Sequence, residues 1–370
     1  MEQKTYSQMK QEFIEFYHNE VKNKLPNYNR KRKEDAPKII AFYTTFLSVI
    51  AVCGCAMLFP NYAIILFPLP FISAGYLMYV TRNDKTNADG SVTVKNNFEA
   101  DLKNVLMKRF VKIFFQDAQW AKSFSHGDNT YTTNDLKARS SVTKRVRQNL
   151  IINPFPVMWY DDRISGTFKD VKISIYETNT HIFNSTTLLI IPFAVVWLSA
   201  MTAGLILIPA IIACIVFIGK ILQYSPFRGV IVEFDMNKNF KGHTFFHDNS
   251  FSAKKIRFDN KKFNKVNLES VTFQNKYNVY SDDQIEARYL LTTAFMERIE
   301  NLNFAFKAKY VRGSFKDNKL MLAIHTDRDM FAMGSDFKDS DTHTFELLYD
   351  EMISILQIID ELKLNEHTGL

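Results

Sequence analysis

The chain has 370 residues, 46% hydrophobic and 23% charged, with a formal net charge of +7 and three cysteines. That length holds one large domain or two ordinary ones. Cys53, Cys55 and Cys214 all lie in apolar runs, which excludes a disulfide framework and suits a reducing cytoplasm.

Residues 1–38 read as a cytoplasmic N-terminal helix with a basic juxtamembrane end. Phe13, Phe16, Tyr17 and Val21 recur at helical spacing until Pro26 interrupts the pattern. The cluster Arg30, Lys31, Arg32, Lys33 follows. It serves as a topology signal, as a contact for anionic lipid at about 1 kcal/mol per charge, or as both.

Ile39–Val80 carries no Asp, Glu, Lys or Arg over 42 residues. A membrane-spanning helix needs about 20 mostly apolar residues. Residues 39–80 are therefore expected to form a transmembrane hairpin, turning at Pro60-Asn61-Tyr62. A signal peptide is excluded, because its apolar core runs to only about 15 residues.

Residues 81–160 read as a cytoplasmic helical linker. Within it, 97–123 is expected to be an amphipathic helix with Phe98, Leu102, Val105, Leu106, Val111, Phe114 and Phe115 on its apolar side. It packs on protein, or else lies on a membrane with Lys103, Lys108, Arg109 and Lys112 toward headgroups. Residues 124–148 read as a polar loop.

Residues 161–370 read as a cytoplasmic α+β domain. Strands are predicted at "KISIYET" (172–178), "RGVIVEFD" (228–235), "GHTFFHD" (242–248), "KKIRFDN" (254–260), "KYNVYS" (276–281), "KAKYVRG" (307–313) and "KLMLAIHT" (319–326), with a hairpin turn at Asp317-Asn318. A long helix follows at 343–363, with a buried stripe of Phe345, Leu348, Tyr349, Met352, Leu356, Ile359 and Leu362. Seven strands and a closing helix have the element order of a pleckstrin-homology-like barrel.

A second uncharged run, Thr178–Gly219, interrupts this domain. It is expected to give a second transmembrane hairpin at 187–222, with one kinked helix as the alternative. Lys and Arg flank both runs, and their central turns carry no charge. The positive-inside rule then predicts a four-span protein of the inner, cytoplasmic membrane, with both termini and the soluble domain on the cytoplasmic side.

The stretch most like a site is "YSDDQIEARYLL" (280–291), which gathers Ser281, Asp282, Asp283, Gln284, Glu286 and Arg288. Such acids can bind a metal or move a proton. They also suit a helix start, with Ser281 as N-cap, Gln284 completing a capping box and the aspartates in the first turn. The structural reading is the stronger, and Thr292 then caps the next helix. His243 and His247 are four apart, but on a strand that separates them by about 13 Å, too far to share a metal. "GSDFKDSD" (334–341) lacks calcium-loop spacing and reads as a polar loop.

The second half resembles an uncharacterised bacterial family labelled domain of unknown function 3137. The resemblance rests on "FRGVIVEFDMNKNFKGHTFF" (227–246), "YSDDQIEARYLLTTAFMERI" (280–299) and "FKDNKLMLAI" (315–324). The family usually has a short polar connection where 185–222 are apolar here, and often Pro at the position of Thr293. The resemblance implies membrane anchoring and a cytoplasmic domain, and it transfers no catalytic residue.

These readings point to a membrane-tethered interaction or scaffold module, with no catalytic or metal-ligating residue and no cofactor. Its expected partners are membrane lipids and another membrane or cytoplasmic protein, not nucleic acid. The alternatives are an enzyme built on the 282–288 cluster and, more weakly, a transporter, whose spans carry no charged residue to mark a path.

Overall fold

The computed structural model describes residues 4–30, 68–81, 98–115, 117–122, 133–152, 157–181, 227–236, 240–249, 263–326, 328–333, 339–362 and 364, with scattered positions from 33 to 48. The described strands are β1 (Gln119–Lys122), β2 (Val157–Phe168), β3 (Val171–His181), β4 (Arg228–Asp235), β5 (Thr244–Asp248), β6 (Asn264–Lys265), β7 (Tyr277–Ser281), β8 (Tyr310–Lys316) and β9 (Lys319–His325). They form one antiparallel sheet in the order β1-β2-β3-β4-β9-β8-β5-β7-β6.

The described helices are α1 (Tyr6–Phe16), α2 (Pro68–Thr81), α3 (Phe98–Phe114), α4 (Thr133–Gln148), α5 (Val271–Lys276), α6 (Gln284–Leu290), α7 (Thr293–Ala305) and α8 (Thr342–Leu362). A π-helical turn, Tyr17–Val21, extends α1.

Strand alternation divides the apolar residues between two faces. Val230, Val232 and Phe234 of β4, with Leu320, Leu322 and Ile324 of β9, belong to a large core shared with α1, α3, α7 and α8. Ile231, Met321 and Ala323 face the other way, into a smaller core that includes Val142 and Val146 of α4. In the large core Phe13 of α1 stacks on Tyr349 of α8, with ring centres 4.7 Å apart. Of the expected α8 stripe, Phe345, Leu348, Met352, Leu356 and Ile359 are buried.

Two turns set the hairpins. Lys169 and Asp170, between β2 and β3, both have positive φ, as do Asp317 and Asn318, between β8 and β9. Both are two-residue loops of the kind that matches strand twist. The second is the hairpin predicted from sequence.

Several expectations are corrected. The ends of the sheet, β1 and β6, do not pair with each other, so the sheet is open and is not a barrel. No helix among the described residues is long and apolar enough to cross a membrane. The described part of the first apolar run is mainly α2, whose 14 residues span about 21 Å, short of a hydrocarbon layer of about 30 Å. The expected four-span anchor, and the multi-pass membrane localisation built on it, are overturned by that finding. Most of 39–67, all of 187–222 and the predicted strand at 254–260 lie outside the described residues.

The stretch read as a linker is also different. It supplies strand β1 and helix α4, and β2 begins at Val157. Helix α3 packs on protein. Its Leu106, Met107, Phe110 and Val111 are fully buried, whereas Val105 is exposed. Lys103, placed by sequence among the outward cations, is buried as well. The N-terminal helix has a Thr5–Gln8 capping box and buries Met9, Phe13 and Phe16.

On the face of β5, β7 and β8 away from the large core, His247 packs beside Phe245 and Tyr280, with ring centres 6.1 and 5.4 Å away. Its Nδ1 lies 3.2 Å from the Asp248 carbonyl, to which it donates as the neutral ring. Burial is the main cause that pushes the His247 imidazole down to about 4. The unfolded ring titrates near 6.5, so the folded state favours the neutral form. That contribution is complete above pH 6.5 and is lost as pH falls toward 4. It amounts to about 3 kcal/mol. We predict that His247→Phe, compared with wild type by urea unfolding at pH 7 and pH 4, shrinks the acid-induced loss of stability by about that amount.

Candidate functional site

Strand β7 ends at Ser281, which is buried rather than capping a helix. Its hydroxyl lies 2.8 Å from the Thr244 hydroxyl of the neighbouring strand, and it accepts the Asp283 N–H at 3.0 Å. The N-cap of α6 is Asp283, whose Oδ1 accepts the Ile285 and Glu286 N–H groups at 2.9 and 3.0 Å. The helix start therefore falls two residues later than sequence suggested, and Gln284 opens the helix instead of completing a capping box.

The other two acids reach across to a distant loop. Asp282 Oδ1 accepts the His243 N–H at 2.6 Å. The two oxygens of Glu286 accept the Lys241 and Gly242 N–H groups at 2.9 and 2.7 Å. A side chain at Gly242 would collide with this arrangement, since its Cβ would lie 2.4 Å from Glu286 Oε2. The carboxylates thus hold the loop that leads into β5. Arg288 is exposed, and its contacts to the Gln284 and Asn267 carbonyls and the Gln284 side chain are long, at 3.4–3.5 Å. Thr292 accepts the Phe295 N–H at 3.2 Å at the start of α7.

The other residues singled out from sequence are dispersed. His243 Nε2 lies 2.9 Å from the Ser314 hydroxyl, while His247 is engaged with the Asp248 carbonyl. Arg30 lies 3.9 Å from Glu34, and Lys33 lies 3.2 Å from Asp339. Lys31 and Arg32 fall outside the described residues. Asp341 accepts the Thr344 N–H at 2.8 Å at the start of α8.

A second cluster was not visible in the sequence. In the β2–β3 pairing, Tyr160 faces Thr178 and Arg163 faces Tyr176, so Asp161 and Asp162 together oppose the single residue Glu177. This is a β-bulge, and it re-aims the side chains on either side of it. Before the bulge Met158 and Tyr160 face α4; after it Ile164 and Phe168 face the large core. The same distortion brings one carboxylate oxygen from each of Asp161, Asp162 and Glu177 within 4.8 Å of one another.

The surroundings of this cluster come from three other elements. Lys103 of α3 is 1% exposed, and its Nζ lies 2.5 Å from Asp162 Oδ2. Trp120 of β1 donates Nε1–H to Asp162 Oδ1 at 3.0 Å. Glu177 Oε1 accepts the Met330 N–H at 2.9 Å, while its Oε2 is buried with no hydrogen-bond partner. Burial pushes the Glu177 carboxyl well above its ordinary range; Asp162 adds to the shift and Lys103 opposes it. Three hard oxygen donors beside one ammonium can hold a cation or share a proton.

Comparison with known proteins adds one finding. Residues 225–364 match the family described as protein of unknown function, DUF3137. No curated protein and no solved structure matches the chain. The DUF3137 segment spans β4 to β9 and α5 to α8, and so contains the whole Asp282–Asp283–Glu286 brace. The bulge cluster lies before it, apart from the Met330 N–H, which the segment supplies.

Two outcomes test these assignments. Glu286→Ala leaves two loop N–H groups without their acceptor, so it is expected to cost about 1–3 kcal/mol and to speed amide exchange at Lys241 and Gly242. Lys103→Met strands a buried carboxylate and is expected to cost about 3–5 kcal/mol in chemical denaturation, part of which Asp162→Asn restores in the double variant.

Proposed function

We propose that this protein is a non-catalytic interaction module whose DUF3137 segment presents a rigid surface to a protein partner. The observation that carries this reading is the use made of the most chemistry-like motif in the chain. Asp282, Asp283 and Glu286 all accept backbone N–H groups, and those bonds orient a loop and a helix end. A carboxylate committed in this way is a poor general base, because taking up a proton would break the bonds that place it. The enzyme reading built on this cluster loses its support for the same reason.

The outer side of the same helix supplies the candidate contact. Ile285 is 82% exposed and Tyr289, one turn on, is 41% exposed. An isoleucine and a tyrosine at i,i+4 on a helix held at its start by Asp283 form a preorganised apolar contact for another protein. Protein is favoured over lipid headgroups as the partner, since Arg30 and Lys33 have acids of this chain beside them.

The test is site-specific photo-crosslinking of the full chain from positions 285 and 289 in cells. A discrete crosslinked protein is expected, and that protein, purified, should rebind the full chain with an affinity that falls at least about tenfold on Ile285→Glu. The reading is overturned if neither position yields a discrete adduct. It is also overturned if Ile285→Glu leaves rebinding unchanged, or if the purified chain captures only anionic vesicles.

A further inference from the structure

We propose that Asp161, Asp162 and Glu177 bind one hard divalent cation, of the Mg²⁺, Ca²⁺ or Mn²⁺ class, at the β2 bulge. The inference is independent of the interaction reading above. Three observations carry it: the bulge, an orphaned oxygen and the local charge.

The bulge sets two adjacent aspartates against one glutamate, so that an oxygen of each lies within 4.8 Å of the others. Regular alternation would send Asp161 and Asp162 to opposite faces of the sheet. Oxygens at such separations can converge on an ion at about 2.0–2.6 Å with small side-chain adjustments.

The orphaned oxygen belongs to Glu177, which is 7% exposed. Its Oε1 is satisfied by Met330, and its Oε2 has no hydrogen-bond partner. Buried carboxylate oxygens are normally paired or coordinate a metal. The fixed Met330 N–H leaves Oε2 as the oxygen available to an ion.

The local charge also favours a cation. Three carboxylates beside one ammonium sum to −2 when all are ionised, and Asp329 adds further negative potential at Glu177. A divalent ion balances the three-acid, one-lysine group. Lys103 and Trp120 each take one oxygen of Asp162, but every carboxylate oxygen has a second lone pair, so Asp162 can serve the pair and the ion together. All three donors are oxygens, the ligand type that suits Mg²⁺, Ca²⁺ and Mn²⁺. Three protein oxygens leave room for several waters, as Mg²⁺ sites commonly do.

The test uses the purified full chain, stripped with a chelator and titrated with MnCl₂ while free Mn²⁺ is followed by electron paramagnetic resonance. One saturable Mn²⁺ per chain is expected, with a dissociation constant of about 1 mM or tighter, displaced by Mg²⁺ or Ca²⁺. Glu177→Gln keeps an acceptor for the Met330 N–H and is expected to weaken binding at least about tenfold, as is Asp161→Asn. Glu346→Gln, at an exposed acid elsewhere, should leave binding unchanged. If Glu177→Gln does not fold, Asp161→Asn decides the outcome. The proposal is overturned by the absence of saturable Mn²⁺ binding, or by binding that neither bulge variant weakens. It is equally overturned if Glu177→Gln raises thermal stability while Mn²⁺ binding stays as in wild type, because a proton would then be what neutralises Glu177.

Discussion

Ile231 and Val232 are neighbours on β4, point to opposite faces of the sheet, and are both fully buried. The rest of the fold depends on that double burial. A strand with apolar side chains on both faces needs cover on each. Helices α1, α3, α7 and α8 cover one face with a continuous core. On the other, α4 covers the β2, β3, β4 and β9 region. The sheet therefore draws in segments from the two ends of the chain, and the N-terminal helix packs against the last one.

Carboxylates have two different fates in this fold. Those in the DUF3137 segment lie close together in sequence and turn outward to backbone N–H groups, where several hydrogen bonds replace hydration. At the β2 bulge strand pairing presses two adjacent aspartates against Glu177 of the neighbouring strand, and there one lysine answers three acids. At the bulge, burial pushes the Glu177 carboxyl well above its ordinary range, because it removes water without supplying a full set of partners.

The legible parts of the fold were those with a strong local period. Strand β4 coincides with the predicted "RGVIVEFD", the Asp317-Asn318 turn lies where predicted, and α8 starts and ends within a residue of expectation. Strand β1 was hidden because four residues carry too little alternation to compete with the helical pattern before them. Helix α4 was hidden by a polar sequence in which only a narrow stripe, centred on Val142 and Val146, is buried. The barrel was inferred from element order, but closure depends on whether the outer strands meet. Here β1, contributed from the stretch read as a linker, extends one edge instead.

The sequence by itself determined that the second half is β-rich and that a long amphipathic helix closes it. Those conclusions follow from period and turn chemistry, which act over a few neighbouring residues. Only the tertiary structure decided that Asp283 and not Ser281 caps α6, since pairing of β7 with β5 holds Ser281 in the sheet. Only the tertiary structure decided that Lys103, Trp120, Asp161, Asp162 and Glu177 meet. Their meeting depends on a bulge and on a contact between residues 59 apart, Lys103 and Asp162, and no local pattern encodes either.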